Sequence, residues 1–263
     1  MAETNPAVTY GSYLKIDELL SLQQRSSSEH DEMLFIVIHQ VYELWFKELL
    51  HELDRVAQLL TDGRPHQVQH TLKRVLTIMK VLVAQLDILE TMTPLEFLSF
   101  RARLEAASGF QSDQFRQIEF VLGVKNETSI ARLPEGSRGR LALEKRFREP
   151  TIWDAFLHYL SREGYPVPAV QLHRVVTATV EPSAEVQRIL IEIYRTDTKN
   201  AELCERLVDL DEGIQEWRYR HVKMVERTIG TRRGTGGSTG AAYLQTTIGR
   251  AAFPDLWAIR SSL

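Results

Sequence analysis

The spacing of apolar residues along this chain predicts long helices. From about Glu29 to Leu60, two adjoining apolar stripes repeat every three or four positions and leave a narrow polar strip. The polar strip consists of Gln40, Glu43, Lys47, His51 and Asp54. Another long helix is expected from about Thr198, and its apolar stripe continues to Thr228. Sustained alternation of apolar and polar residues is almost absent, so the predicted fold class is all-α, a multi-helix bundle.

Caps and helix breakers predict where the other helices begin and end. The segment from Thr61 to Pro65 interrupts the first long helix, and the next is expected from about His66 to Glu90. Thr93-Pro94-Leu95-Glu96 has the form of a capping box with proline at the first helical position, so another helix starts there. Residues 125–139 and 165–180 are expected to be irregular. Shorter helices are predicted at 10–20, 115–122, 140–148, 151–163 and 182–194, and around positions 244 and 257.

Two histidines lie on apolar stripes of different long helices. His39 follows Phe35 on the first, and His221 stands between Trp217 and Met224 on the last. A histidine on an apolar stripe is most often a core residue held by a backbone carbonyl. An apolar wall with one imidazole is also what an axial haem ligand requires. The pattern of residues leaves both interpretations open.

Two segments carry groups suited to binding an anion. After the His221 helix, four glycines fall within residues 234–240, preceded by two arginines and interspersed with hydroxyl side chains. Such a loop can turn several N–H groups toward an anion, although a flexible linker would have the same composition. Arg101 follows Phe97 and Phe100, where an arginine usually extends to the surface but can also clamp a carboxylate.

Composition narrows the classes of protein that remain. The chain has 263 residues, 43% of them hydrophobic, so a single domain over 1–263 is expected. Its net charge of −3 predicts that neither nucleic acid nor an anionic membrane is a binding partner. Cys204 is the single cysteine and lies off the apolar stripe. No leader or long apolar run is present, which predicts a cytoplasmic protein.

Rival chemistries lack their motifs. A di-iron carboxylate protein needs two Glu-x-x-His motifs, and Glu48 with His51 forms the only one that could be considered. His51 is expected in the solvent strip. The sequence has no G-x-S-x-G nucleophile motif. A haem-type site with an aromatic pocket and anion-binding loops remains.

Four blocks of sequence carry a family resemblance. They are TYGSYLKIDELL (9–20), HDEMLFIVIHQVYELWFKELLHELD (30–54), TPLEFLSFRARLEAASGFQS (93–112) and WRYRHVKMVERTIGTRRGTGGSTG (217–240). With these four blocks in this order, the chain resembles tryptophan 2,3-dioxygenases, haem-dependent all-α enzymes that open the indole ring of L-tryptophan. Residues 125–180 look diverged from the family.

The resemblance implies a helical bundle that encloses haem b, active in its ferrous form. His221 would be the proximal iron ligand, and His39 would be the distal catalytic residue that accepts a hydrogen bond from the indole N–H. Phe35 and Phe97 would form the walls of the indole pocket. Arg101 would pair with the substrate carboxylate.

The resemblance also implies further contacts and an assembly. Thr235 would contact the ammonium and carboxylate groups, and Ser108 and Gly109 would line the distal side. Tyr10, Tyr13 and Leu14, within the segment 1–20, would reach a neighbouring subunit's pocket in a homotetramer. The expected reaction adds both atoms of O₂ across the indole C2–C3 bond and gives N-formylkynurenine. A specialised relative acting on a substituted tryptophan or inserting one oxygen, and a haem or tryptophan sensor without turnover, remain as alternatives.

Overall fold

Three long helices form the frame of the structure, a computed structural model that describes residues 7–105, 107–235 and 240–263. They are α3 (Glu32–Thr61), α4 (Pro65–Leu89) and α12 (Thr198–Ile229). Helix α4 packs against both α3 and α12, and the apolar stripes of all three meet in one core. No strand occurs in these described ranges, so the predicted all-α class is confirmed.

Eleven shorter helices surround this frame within the described residues. Their bounds are α1 (Tyr10–Leu14), α2 (Ile16–Leu20), α5 (Pro94–Arg101), α6 (Asp113–Val121), α7 (Glu127–Ala131), α8 (Arg138–Arg148), α9 (Ile152–Arg162), α10 (Ala169–Leu172), α11 (Ala184–Thr196), α13 (Ala241–Gln245) and α14 (Pro254–Ala258). Short 3₁₀ turns occupy Ala102–Leu104, Gly109–Gln111 and Arg260–Ser262. None of the helices in the described part of the chain is both long and apolar enough to cross a membrane.

Local chemistry explains two helix starts. The Thr93 hydroxyl accepts the Glu96 N–H while the Glu96 carboxylate accepts the Thr93 N–H, so the predicted capping box at the start of α5 is confirmed. Helix α3 begins at Glu32, three residues after the predicted start. The Glu32 carboxylate accepts the N–H groups of Ser26 and Ser27 at 2.8 and 2.7 Å, which holds the serine cluster in a turn outside the helix.

Two connecting segments differ from the prediction made from the sequence, and one cysteine is buried by a helix whose packing that prediction did not give. Helices α7 and α10 lie in segments predicted to be irregular, because four or five residues are too few to show a helical period. Cys204 lies beside the apolar stripe of α12 and is completely buried. Helix α11 packs on α12 and buries a second face of it, and this packing cannot be read from a single stripe.

A buried carboxylate fastens the C-terminal segment to α12. Asp211 Oδ2 accepts the backbone N–H groups of Ala252 and Phe253 at 2.9 and 3.0 Å and the Trp257 indole N–H at 2.9 Å. Asp211 is 1% exposed, and its other oxygen accepts a bond from Gln215. These hydrogen bonds therefore hold the C-terminal segment, residues 252–257, against α12 ten residues before His221.

Candidate active site

One cavity opens between α3, α5, α6 and α12. Its empty space is about 1500 Å³, including the part at the mouth that is open to solvent. Most of its lining is apolar or aromatic, as is usual for sites that bind small organic molecules. The residues of the predicted site that line it are Phe35, His39, Phe97, Arg101, Ser108, Gly109, His221 and Thr235.

His221 presents a neutral imidazole to this cavity. Its ring stacks on the Trp217 ring with centroids 4.9 Å apart and planes 11° apart, and Trp217 in turn lies 4.6 Å from Phe115. Burial, with smaller contributions from His39 and Arg116, lowers the pKa of His221 to about 4. The described residues give neither ring nitrogen a hydrogen-bond partner. At neutral pH a nitrogen lone pair is therefore available to a ligand.

His39 is held by its own helix. Its Nδ1 lies 2.7 Å from the Phe35 carbonyl oxygen. Because that oxygen can only accept, Nδ1 carries the proton and Nε2 is left as an acceptor. Burial is the main cause that lowers the pKa of His39, which favours this neutral form. The Phe35 ring lies 4.1 Å from the imidazole and packs against Phe97 at 5.8 Å and Phe100 at 5.6 Å.

Arg101 joins α5 to the glycine-rich loop. Its Nη2 donates to the Arg233 carbonyl at 2.5 Å, whereas its Nε–H is buried without a partner in the described part of the chain. The Thr235 hydroxyl donates to the Ala107 carbonyl at 2.5 Å and ties the loop to the turn after α5. Arg101 therefore has a free donor at the cavity wall, where a buried donor normally requires an acceptor.

Gly240 closes the loop in a conformation that requires glycine. Its φ is +64°, and a Cβ atom there would lie 2.7 Å from the Arg232 carbonyl oxygen. The remaining predicted loop residues, Gly236, Gly237, Ser238 and Thr239, lie outside the described residues.

Comparison with known proteins gives the family. The family model described as tryptophan 2,3-dioxygenase matches residues 2–137 and 173–263. The chain is 58% identical over 262 residues to the tryptophan 2,3-dioxygenase of Herpetosiphon aurantiacus, covering 98% of this chain and 99% of that protein. It is 55% identical to that of Anaeromyxobacter sp. strain K (98% and 97% covered) and 44% identical to that of Caulobacter vibrioides (97% and 98% covered). The chain belongs to the tryptophan 2,3-dioxygenase family.

The segment that the tryptophan 2,3-dioxygenase model leaves unmatched, residues 138–172, contains α8, α9 and α10. It falls inside the stretch that looked diverged from the sequence. None of the cavity-lining residues belongs to it. This segment therefore contributes no side chain to the lining of the candidate site.

The residues present fit the haem that this family implies. The haem would lie in the cavity between α3, α5, α6 and α12. Its walls are aromatic and aliphatic, and His221 offers an unpartnered neutral nitrogen. His51 of the rival di-iron motif is exposed and does not line the cavity.

Four charged residues of the cavity wall were not predicted from the sequence: Glu43, Arg116, Glu119 and Arg218. Glu43 had been assigned to the solvent strip, but its carboxylate accepts a bond from Gln114 at 2.8 Å and borders the cavity. The other three form a buried ion-pair network. Charged residues three apart on a short helix resemble a solvated face, so the sequence had no signal for this network.

The N-terminal residues Tyr10, Tyr13 and Leu14 do not line this cavity. They are 77%, 76% and 43% exposed on the single chain. Their predicted role, in a neighbouring subunit's pocket, requires a second copy of the chain and stays a prediction.

Proposed function

We propose that this protein is a tryptophan 2,3-dioxygenase that cleaves the indole C2–C3 bond of L-tryptophan with both atoms of O₂ and releases N-formylkynurenine. One observation carries the proposal: a single cavity is lined by an imidazole with a free nitrogen, a second imidazole with a free acceptor, and a guanidinium whose buried Nε–H has no partner among the described residues. These three groups match an iron ligand, an indole N–H and a carboxylate. Membership of the family supports the same reaction.

His221 would hold the iron of haem b. Its pKa of about 4 keeps the imidazole unprotonated, and the stack on Trp217 restricts the orientation of the ring. When bound, a ferrous haem would supply the oxygen-activating chemistry.

His39 would orient the indole ring. With Nδ1–H donated to Phe35, its Nε2 would accept the indole N–H, and the imidazole need not change its protonation state to do so. A substrate without that N–H would leave a buried acceptor unpaired, which costs about 1–3 kcal/mol. Phe35 and Phe97 would form the wall against which the indole packs, since their rings contact each other, with centroids 5.8 Å apart, and both line the cavity.

Arg101 and Thr235 would bind the amino-acid end of the substrate. The buried Arg101 Nε–H lacks an acceptor that a carboxylate oxygen would supply. The Thr235 hydroxyl can turn from the Ala107 carbonyl toward the ammonium or carboxylate. Ser108 and Gly109, in the same wall, would exclude water from the distal side of the site.

We also propose that Tyr10, Tyr13 and Leu14 dock on a neighbouring subunit in a cytoplasmic homotetramer. Two tyrosine rings that are three-quarters exposed leave apolar area in water that an isologous neighbour could cover.

The test is an anaerobic titration of the ferrous protein with L-tryptophan, followed by addition of ¹⁸O₂ and mass analysis of the product. Binding followed by N-formylkynurenine with two labelled oxygens is expected. One labelled oxygen in an oxindole-like product would indicate the specialised relative instead. Tryptophan binding without any product, in protein that retains haem, would indicate a sensor.

A further inference from the structure

A buried network of one glutamate and two arginines forms part of the cavity wall. Arg116 Nη1 donates to one carboxylate oxygen of Glu119 on α6 at 2.5 Å, and Arg218 Nη2 donates to the other at 2.8 Å. The side chains of Arg116, Glu119 and Arg218 are 12%, 9% and 4% exposed. Neither the proposed substrate contacts nor the iron ligand uses these three residues.

Among the described residues, the network carries one positive charge that no carboxylate matches. Glu119 is a single carboxylate shared between two guanidinium groups. The other acidic residue of the cavity wall, Glu43, has no described arginine within ion-pair distance and is bonded to Gln114 instead. Taken over the whole lining, three arginines face two glutamates. A buried charge without a counter-charge is costly, so an anion is expected in the cavity.

A free donor adds a second, independent sign of a ligand. Arg218 uses Nη1 on the Arg250 carbonyl at 3.3 Å and Nη2 on Glu119, but its buried Nε–H has no partner in the described residues. Arg116 lies with its guanidinium carbon 5.3 Å from the centre of the Phe115 ring, which limits where this group can move. Two guanidinium groups held in place, one with a spare N–H, suit a carboxylate.

We infer that Arg116 and Arg218 form a second carboxylate-binding site in this cavity and that its ligand is a propionate of the haem. The inference rests on the proposed function, which places haem there. An amino-acid substrate has one carboxylate, for which Arg101 is already placed beside the glycine-rich loop. Haem b brings two further carboxylates into the same cavity. Glu119 positions both arginines and limits the positive charge that they present.

The experiment compares two porphyrins in the full chain. Iron protoporphyrin IX and its dimethyl ester, which has no free carboxylates, are titrated into wild type and variants while the Soret band is followed. Wild type is expected to prefer the diacid by about tenfold to a hundredfold, the equivalent of one charge-assisted hydrogen bond. Arg116→Gln should lose most of this preference by weakening the diacid alone, and Glu119→Gln should increase it.

The matched control is Arg132→Gln. Arg132 is an exposed arginine stacked over the Tyr243 ring at 5.0 Å, and it does not line the cavity, so the preference should be unchanged. Arg116→Lys keeps the charge and should restore part of the preference. A parallel titration of wild type and the same variants with L-tryptophan and tryptamine tests whether the arginines bind the carboxylate of the substrate instead.

The outcomes separate the inference from the function beneath it. Equal weakening of both porphyrins in Arg116→Gln and Glu119→Gln would show a purely structural network and overturn the inference. Loss of the preference for tryptophan over tryptamine, with the porphyrin preference intact, would assign the site to the substrate. Failure of wild type to bind either porphyrin would refute the proposed cofactor itself, and the inference with it.

Discussion

Replacement of Arg101 by leucine separates substrate binding from folding. Within the described residues of the free protein, the Arg101 side chain makes one bond, to the Arg233 carbonyl, and its buried Nε–H is unpaired. Loss of the bond costs about 0.5–1.5 kcal/mol, while removal of the unpaired donor recovers about 1–3 kcal/mol. The free energy of unfolding should therefore change little.

The same replacement should weaken tryptophan binding severely. A substrate carboxylate left without its buried partner costs roughly 2–5 kcal/mol, which corresponds to about a thirtyfold to several-thousandfold loss of affinity. Tryptamine has no carboxylate and should bind the variant about as well as it binds wild type. The measurements are anaerobic titrations with both ligands and urea unfolding of the ligand-free protein.

Arg103→Leu is the matched control, because Arg103 lies two residues further along and is exposed. It should leave both titrations unchanged. If Arg101→Leu weakens tryptophan and tryptamine equally, the arginine shapes the cavity and does not hold a carboxylate. If the variant unfolds at much lower urea, the loop contact matters more than the unpaired donor does.

Four further predictions follow from the site. His39→Ala should remain active on L-tryptophan but slower, and it should tolerate 1-methyltryptophan relatively better than wild type does. Steady-state rates with both substrates test this. Complete inactivity of the variant would indicate that His39 is an obligatory base. In the haem-free protein, the neutral imidazole of His221 must become protonated in acid. Because its folded pKa of about 4 lies below its unfolded value, the free energy of unfolding should fall by about 3 kcal/mol as the pH drops from roughly 6.5 to 4. Urea titrations across this range measure the fall, and an identical profile for His221→Leu would contradict the assignment. Gly240→Ala should impair tryptophan binding more than Gly230→Ala does. Both glycines have positive φ, but only at Gly240 would the added Cβ lie 2.7 Å from a backbone oxygen. Tryptophan titrations of the two variants compare them. Deletion of residues 1–14 should reduce activity more than haem content, and an active monomer in sedimentation would refute docking between subunits.

The helical frame could be predicted from the sequence because burial repeats with the helical period. On α12, Leu203, Leu207, Leu210 and Ile214 are all at most 4% exposed, and His221 continues the same stripe into the cavity. The capping box at Thr93 was equally readable, since its two hydrogen bonds join residues three apart. Interactions this local depend only on the order of residues along one element.

The cavity wall could be predicted only in part. The resemblance pointed to Phe35, His39, Phe97 and Arg101, and the structure places all four around one space. It could not show that the Arg101 Nε–H is buried, because that depends on the loop at Arg233, more than a hundred positions away. An arginine among aromatic residues is compatible with either the surface or a pocket until the loop covers it.

What the sequence by itself determined, then, was the set of helices, the inward direction of His39 and His221, and the family. Tertiary structure alone decided the charge of the cavity. Glu119 and Arg218 are 99 positions apart, yet they form a buried ion pair beside Trp217 and His221. The local sequence around each of these two residues looks like that of a solvent-exposed helix face. Burial of a charge is decided by which helices pack against it, and that packing depends on the whole chain.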